Sequence, residues 1–89
     1  MKLSSVWKLK KLGDEAILMP IGQEAYDLRA VINLNSTSVE LYELLSQGKE
    51  ENDLVDYLTS NYDVSKEEAS SDVREFISKL EERKVIIND

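Results

Sequence analysis

Apolar and polar residues along this chain follow two different periods, and the change between them separates a strand-forming first third from a helical remainder. Val6-Trp7-Lys8-Leu9-Lys10-Lys11-Leu12 mixes large apolar residues with lysines at near period two and stops at Gly13-Asp14, the pattern of a strand ended by a turn. Ala16 to Ile21 predicts a second strand. Pro20 in it has no N–H to give to a ladder, which assigns that position to a strand end, an edge or a bulge. Gly22 to Asp27 reads as a polar connection, after which Leu28, Ala30, Ile32 and Leu34 alternate with Arg29, Val31 and Asn33. Three strands, about 6–12, 16–21 and 28–34, joined by short loops predict an antiparallel meander.

From Asn35 the period becomes helical. Thr37 and Glu40 have capping-box spacing, Leu41, Leu44 and Leu45 form an apolar stripe, and Gly48 is a stop, so a helix is predicted over about 36–47. A second, about 51–60, carries Leu54, Val55 and Leu58 on one face, with Glu50, Glu51 and Asp53 at its positive end. Ser65 and Glu68 form another capping-box pair before Ala69, Val73, Phe76, Ile77 and Leu80, which share one face of a third helix over about 66–83. Val85-Ile86-Ile87 reads as a strand-like tail packed back on the rest. There are no repeats and no linker, and the expected architecture is one α+β domain over residues 1–89: a three-stranded antiparallel meander followed by three helices, winged helix-turn-helix-like.

Composition narrows the chemistry. The 89 residues include 11 Lys and Arg, 18 Asp and Glu, no His and no Cys, for a net charge of -7. A chain this short buries only about 60 to 65% of its unfolded surface, enough for one small core but hardly for a deep reaction cavity as well. Without His or Cys, thiol chemistry, His-based triads and the usual zinc sites are excluded, and no metal or cofactor is expected. The three glycines stand singly at predicted element ends, so there is no phosphate-cradling loop. The acid pairs Glu50-Glu51, Glu67-Glu68 and Glu81-Glu82 read as solvated helix faces. No Asp is followed by Ser, which removes an acyl-carrier reading. Tyr42, Tyr57, Tyr62, Trp7 and Phe76 fall mostly at the period of the apolar residues and read as core or boundary positions. No catalytic constellation emerges, and a binding module, not an enzyme, is expected. With no disulfides, no signal-peptide pattern at the start and no apolar run able to span a bilayer, a cytoplasmic location and no membrane association are expected.

Charge is unevenly placed. Residues 1–13 hold four lysines and no acid, whereas residues 36–84 hold thirteen acids and six bases. The lysines alternate with Trp7 and Leu9 as the wet face of a strand. A winged helix-turn-helix DNA-binding regulator is the fold-level alternative, but a recognition helix carrying Glu67, Glu68, Asp72, Glu75, Glu81 and Glu82 would meet phosphate with the wrong sign, so no nucleic-acid partner is expected. A winged-helix scaffold for protein complexes is a further alternative.

A set of short segments, in order, resembles the family of coenzyme PQQ synthesis protein D. They are Ala16-Ile17-Leu18-Met19-Pro20-Ile21-Gly22, Leu34-Asn35-Ser36-Thr37, Tyr42-Glu43-Leu44-Leu45, Gly48, Leu54-Val55-Asp56-Tyr57-Leu58, Tyr62, Asp72-Val73 with Phe76-Ile77 and Leu80, and Val85-Ile86. Ser38 stands where that family usually has Gly or Ala, Tyr42 where Trp is frequent, and Lys84 where Gly often precedes the last apolar pair. The resemblance implies a RiPP recognition element: a non-catalytic chaperone-like adaptor that holds the leader segment of a ribosomally made precursor peptide and presents it to a modifying enzyme, often a radical SAM enzyme. It implies that the leader adds as a strand beside the third strand, in a groove shared with the third helix. Carried over by position, the peptide-binding residues are Arg29, Val31, Ile32, Asn33 and Leu34 on the strand and Asp72, Phe76, Lys79 and Arg83 on the helix.

Overall fold

The first two long strands fold on each other because the link between them is as short as a hairpin allows. In the computed structural model, which describes residues 1–21 and 31–88, β2 (Trp7–Leu12) pairs antiparallel with β3 (Glu15–Pro20), Leu12 opposite Glu15. Only Gly13 and Asp14 lie between them. Gly13 has φ +69, the positive value that the first central residue of a type II′ turn takes and that glycine adopts without steric cost. Pro20 closes β3 opposite Trp7, so its missing N–H falls at the strand end. β4 (Ile32–Leu34) then pairs antiparallel with β3, Ile32 opposite Leu18 and Leu34 opposite Ala16, giving the sheet order β2-β3-β4. The predicted third strand began at Leu28; residues 28–30 lie outside the described residues.

Three helices follow: α1 (Ser36–Ser46), α2 (Glu51–Asn61) and α3 (Lys66–Glu82). The expected fold class is thus the observed one. The cap of α1 differs from the expected one. Asn35, not Thr37, is the N-cap, its Oδ1 accepting from the Ser38 N–H at 2.9 Å. Asn35 and Ser38 are also three apart, and the extended backbone of Asn35 starts the helix two residues earlier than a Thr37 cap would. At the other end Gly48, φ +89, sits where the Lys49 N–H reaches the Leu44 carbonyl and its own N–H the Leu45 carbonyl, a Schellman ending. For α2, the Asp53 carboxylate accepts from the Glu50 N–H at 2.8 Å. For α3, Ser65 Oγ accepts from the Glu68 N–H at 3.1 Å.

The end of α3 repeats the Schellman geometry without a glycine. The Val85 N–H donates to the Leu80 carbonyl and the Lys84 N–H to the Glu81 carbonyl, while Lys84 takes φ 62. A side chain in that left-handed conformation costs about 1–2 kcal/mol. Lys84→Gly is therefore expected to raise the thermal midpoint by a few degrees, about 0.5–1 kcal/mol after the greater freedom of glycine in the unfolded chain is counted. An unchanged or lowered midpoint in a calorimetric scan would contradict this.

Immediately after this turn comes a pairing that local periodicity does not announce. β1 (Lys2–Leu3) and β5 (Ile86–Ile87) form a two-stranded antiparallel sheet, Lys2 opposite Ile87 and Leu3 opposite Ile86. The Ser4 N–H extends it to the Val85 carbonyl at 2.8 Å. The apolar tail is packed back as expected, with Val85 and Ile86 buried.

One core joins sheet and helices. Ala16 and Leu18 of β3, Ile32 and Leu34 of β4, Val39, Leu41, Tyr42 and Leu45 of α1, Leu54 and Leu58 of α2, and Ala69, Val73, Ile77 and Leu80 of α3 meet in it. The α3 stripe is narrower than expected, since Phe76 is only partly buried against this core. The lysines of β2 face water as expected: Lys8, Lys10 and Lys11 are exposed, and Lys11 Nζ lies 2.9 Å from Glu43 of α1.

Candidate functional site

A sheet of three strands has two edges, and at one of them lies β4. Among the described residues no strand pairs with its outer side. Its short run alternates as a half-buried strand must, with Ile32 and Leu34 buried in the core and Asn33 exposed between them. Val31, just before the strand, is half-buried.

α3 runs alongside this edge. Its inner stripe, Ala69, Val73, Ile77 and Leu80, is fixed in the core, and helical geometry then sends the residues one step around the helix to the edge of that stripe. Asp72, Phe76, Lys79 and Arg83 lie on this flank. Between them and β4 is a groove of ≈ 510 Å³, lined by Val31, Ile32, Asn33, Lys79, Glu82 and Arg83. A smaller hollow, ≈ 160 Å³, shares Lys79 and continues past Ser38, Asp72, Glu75 and Phe76. Asp72 and Phe76 also border a depression of ≈ 350 Å³ against Asn35, Leu41, Leu58 and Tyr62.

The structure thus brings most of the sequence-selected residues together. Val31, Ile32, Asn33, Lys79 and Arg83 line the main groove, and Asp72 and Phe76 the adjoining hollow. Leu34 is a core residue at 4% exposure. Arg29 falls outside the described residues. The guanidinium of Arg83 lies 5.8 Å from the centroid of the Trp7 ring, a cation–π contact that holds it at the end of the groove. Sequence reasoning did not select Glu75 or Glu82, although Glu82 lies three residues after Lys79 and so shares its side of the helix. It also did not foresee a mainly apolar hollow of ≈ 610 Å³ beyond Arg83, where Trp7, Pro20 and Ile21 meet Ile86 and Ile87.

The chemistry of the groove is that of contact, not of proton transfer. Its lining offers backbone groups, apolar side chains and charges of both signs. Tyr42, a buried phenol of α1, is pushed above its usual pKa by burial. Among the described residues no cluster of three or more His, Cys, Asp or Glu is arranged to hold a metal ion. No helix of the described residues is long and apolar enough to cross a membrane.

Comparison with known proteins follows the same lines. Two solved structures share the whole architecture. TbiB1 in complex with the TbiA(beta) leader peptide superposes over 100% of both chains with a TM-score of 0.84 at 22% identity. Lasso peptide synthetase B1 complexed with the leader peptide superposes over 98% of this chain and 96% of that one, with a TM-score of 0.80 at 20% identity. At these identities the likeness establishes a common fold. No curated protein matches at a significant level. The family model for coenzyme PQQ synthesis protein D (PqqD) matches residues 15–86, from the first residue of β3 through the α3 flank to β5, and by that extent the chain belongs to the PqqD family.

Proposed function

We propose that this chain is a peptide-binding adaptor: it captures the leader segment of a ribosomally synthesised precursor peptide as an added β-strand and presents it to a peptide-modifying enzyme, a radical SAM enzyme in the first instance. The observation that carries this reading is the outer edge of β4 facing the α3 flank across the groove. An edge strand offers a row of N–H and C=O groups to an extended peptide, and the pockets beside it read alternate side chains. Membership of the PqqD family supports it, as do the two structural neighbours, both determined with a leader peptide. In this reading the adaptor has no catalysis of its own, acts in the cytoplasm as a single domain, and uses Val31, Ile32 and Asn33 for strand pairing and Asp72, Phe76, Lys79 and Arg83 for side-chain contacts. Leu34 braces the strand from the core. DNA binding fits poorly, because Glu67, Glu68, Asp72 and Glu75 are all exposed acids on α3.

A peptide of some six residues buries an area at the low end of protein interfaces, which implies a Kd of roughly 0.1–10 µM, weak enough for cargo to be handed on. Titration with the leader segment of a precursor peptide encoded beside this chain, followed by fluorescence anisotropy, tests it. Absence of binding up to about 100 µM would leave a scaffold role as the better reading. The double substitution Lys79→Glu with Arg83→Glu is expected to weaken leader binding at least about 10-fold. It should lower stability by about 1 kcal/mol, through lost contacts of Arg83 that include the one with Trp7. Unchanged affinity would remove the α3 flank from the site.

A further inference from the structure

We infer that the groove is electrically polarised and accepts its peptide in one direction only, selecting a segment in which a basic residue, an apolar residue and an acidic residue occupy positions i, i+2 and i+4. The inference rests on the peptide-binding reading above and specifies its ligand.

Some charges on α3 are already satisfied. Arg74, elsewhere on α3, is held by Glu51 at 3.0 Å and Glu81 at 3.2 Å, so the helix spends that cation on pairing with α2 and with itself. The side chains of Asp72, Glu75 and Lys79 have no ion-pair or hydrogen-bond partner among the described residues, although all three line the groove and its continuation. They are arranged by sign. Asp72 and Glu75 mark one end; Lys79 and Arg83, with Glu82 beside them, mark the other, whose described lining residues sum to a positive charge. Phe76, half-buried, lies between.

Direction follows from topology. Val31 to Asn33 lie against Lys79 and Arg83, whereas Asn35 and Ser38, further along the chain, lie against Asp72 and Phe76, so β4 and α3 run in opposite senses. Both pairings within this sheet are antiparallel. A peptide that continues the pattern beside β4 therefore runs with α3, its N-terminal end at the acidic pair and its C-terminal end at the basic one.

Spacing follows from the two rises. Along α3, Lys79 and Arg83 are seven and eleven residues beyond Asp72, roughly 10 and 16 Å at 1.5 Å per residue. An extended peptide advances about 3.3 Å per residue and turns every second side chain to the same face, so i and i+4 stand about 13 Å apart on the helix-facing side, between those two values. Phe76, four residues past Asp72, is about 6 Å along the axis, where i+2 arrives.

Two synthetic peptides of about ten residues test this, identical in composition, one carrying Lys-x-Leu-x-Glu and the other Glu-x-Leu-x-Lys. Two exposed ion pairs predict that the first binds roughly 5- to 30-fold more tightly at about 50 mM salt, a preference that shrinks as salt rises. The exchange Asp72→Lys with Lys79→Asp, both on exposed positions, should reverse it, with circular dichroism confirming that the variant is folded. Equal affinities, or a preference for the acid-first order, would overturn the inference while leaving groove binding in place. Binding of neither peptide up to about 1 mM would overturn the inference if the encoded leader still binds, and the peptide-binding reading as well if it does not.

Discussion

Ile77→Ala is expected to lower the unfolding free energy by about 3–5 kcal/mol, read as a fall in the urea midpoint at unchanged slope. Ile77 is 0% exposed, in the middle of the stripe through which α3 meets the rest of the core. Its truncation loses the transfer free energy of the deleted carbons and leaves a space that the fixed backbones of sheet and helices cannot close. For 89 residues the whole stability is on the order of 5–10 kcal/mol, so the variant should be partly unfolded near physiological temperature. Phe76→Ala, one position earlier, supplies the contrast. Phe76 is only half-buried, so its loss should cost about 1–2 kcal/mol of stability while weakening peptide binding. Equal destabilisation by the two substitutions would put Phe76 in the core and take it out of the groove.

The second large effect concerns the bound peptide's backbone. If the peptide adds as a strand beside β4, its N–H groups point alternately toward β4 and away from it. Methylating the nitrogens of every second residue should abolish binding, a loss of about 100-fold or more, because each methyl both removes a ladder hydrogen bond and blocks the approach of the strands. Methylating the intervening set should change affinity only a few-fold. Competition against a fluorescent leader peptide measures both sets on the unaltered protein, so folding does not enter. A small, uniform effect at every position would mean that the peptide lies in the groove in some other conformation and that side chains alone hold it.

These two experiments divide the molecule along the line that separates legible from illegible in its sequence. The stripe on α3 could be read because burial of a helix imposes a period on apolar residues: Ala69, Val73, Ile77 and Leu80 are all fully buried. Phe76 satisfies the same period and yet stands at the groove, because an apolar residue at the edge of a stripe has no local signal to say whether a neighbour covers it. Arg83 shows the same limit. Its place on the flank followed from the helical wheel, but its contact with Trp7 joins residues more than seventy positions apart.

Turns and caps were legible in part. Gly13 and Gly48 mark a hairpin and a helix end because those conformations favour a residue without a side chain. The α1 cap was misplaced because Asn35 with Ser38 and Thr37 with Glu40 both offer a side-chain acceptor three residues before a backbone donor, and only the path of the incoming strand chooses between them. At Lys84 the sequence shows a departure from the family's usual glycine, and the backbone there keeps the glycine-like conformation regardless.

By itself, then, the sequence determined the elements, their order, the faces they bury and the sign of their charge, since each depends on residues within a turn or two of one another. The pairing of Lys2–Leu3 with Ile86–Ile87 and the apolar hollow where Trp7 and Pro20 meet Ile86 and Ile87 were decided only by tertiary structure, whereas the edge position of β4 was implied by the meander and its groove with α3 by the family resemblance. Local periodicity states that a surface is apolar or that an edge exists; which surfaces meet, and which edge stays open for a partner, depends on packing across the whole chain.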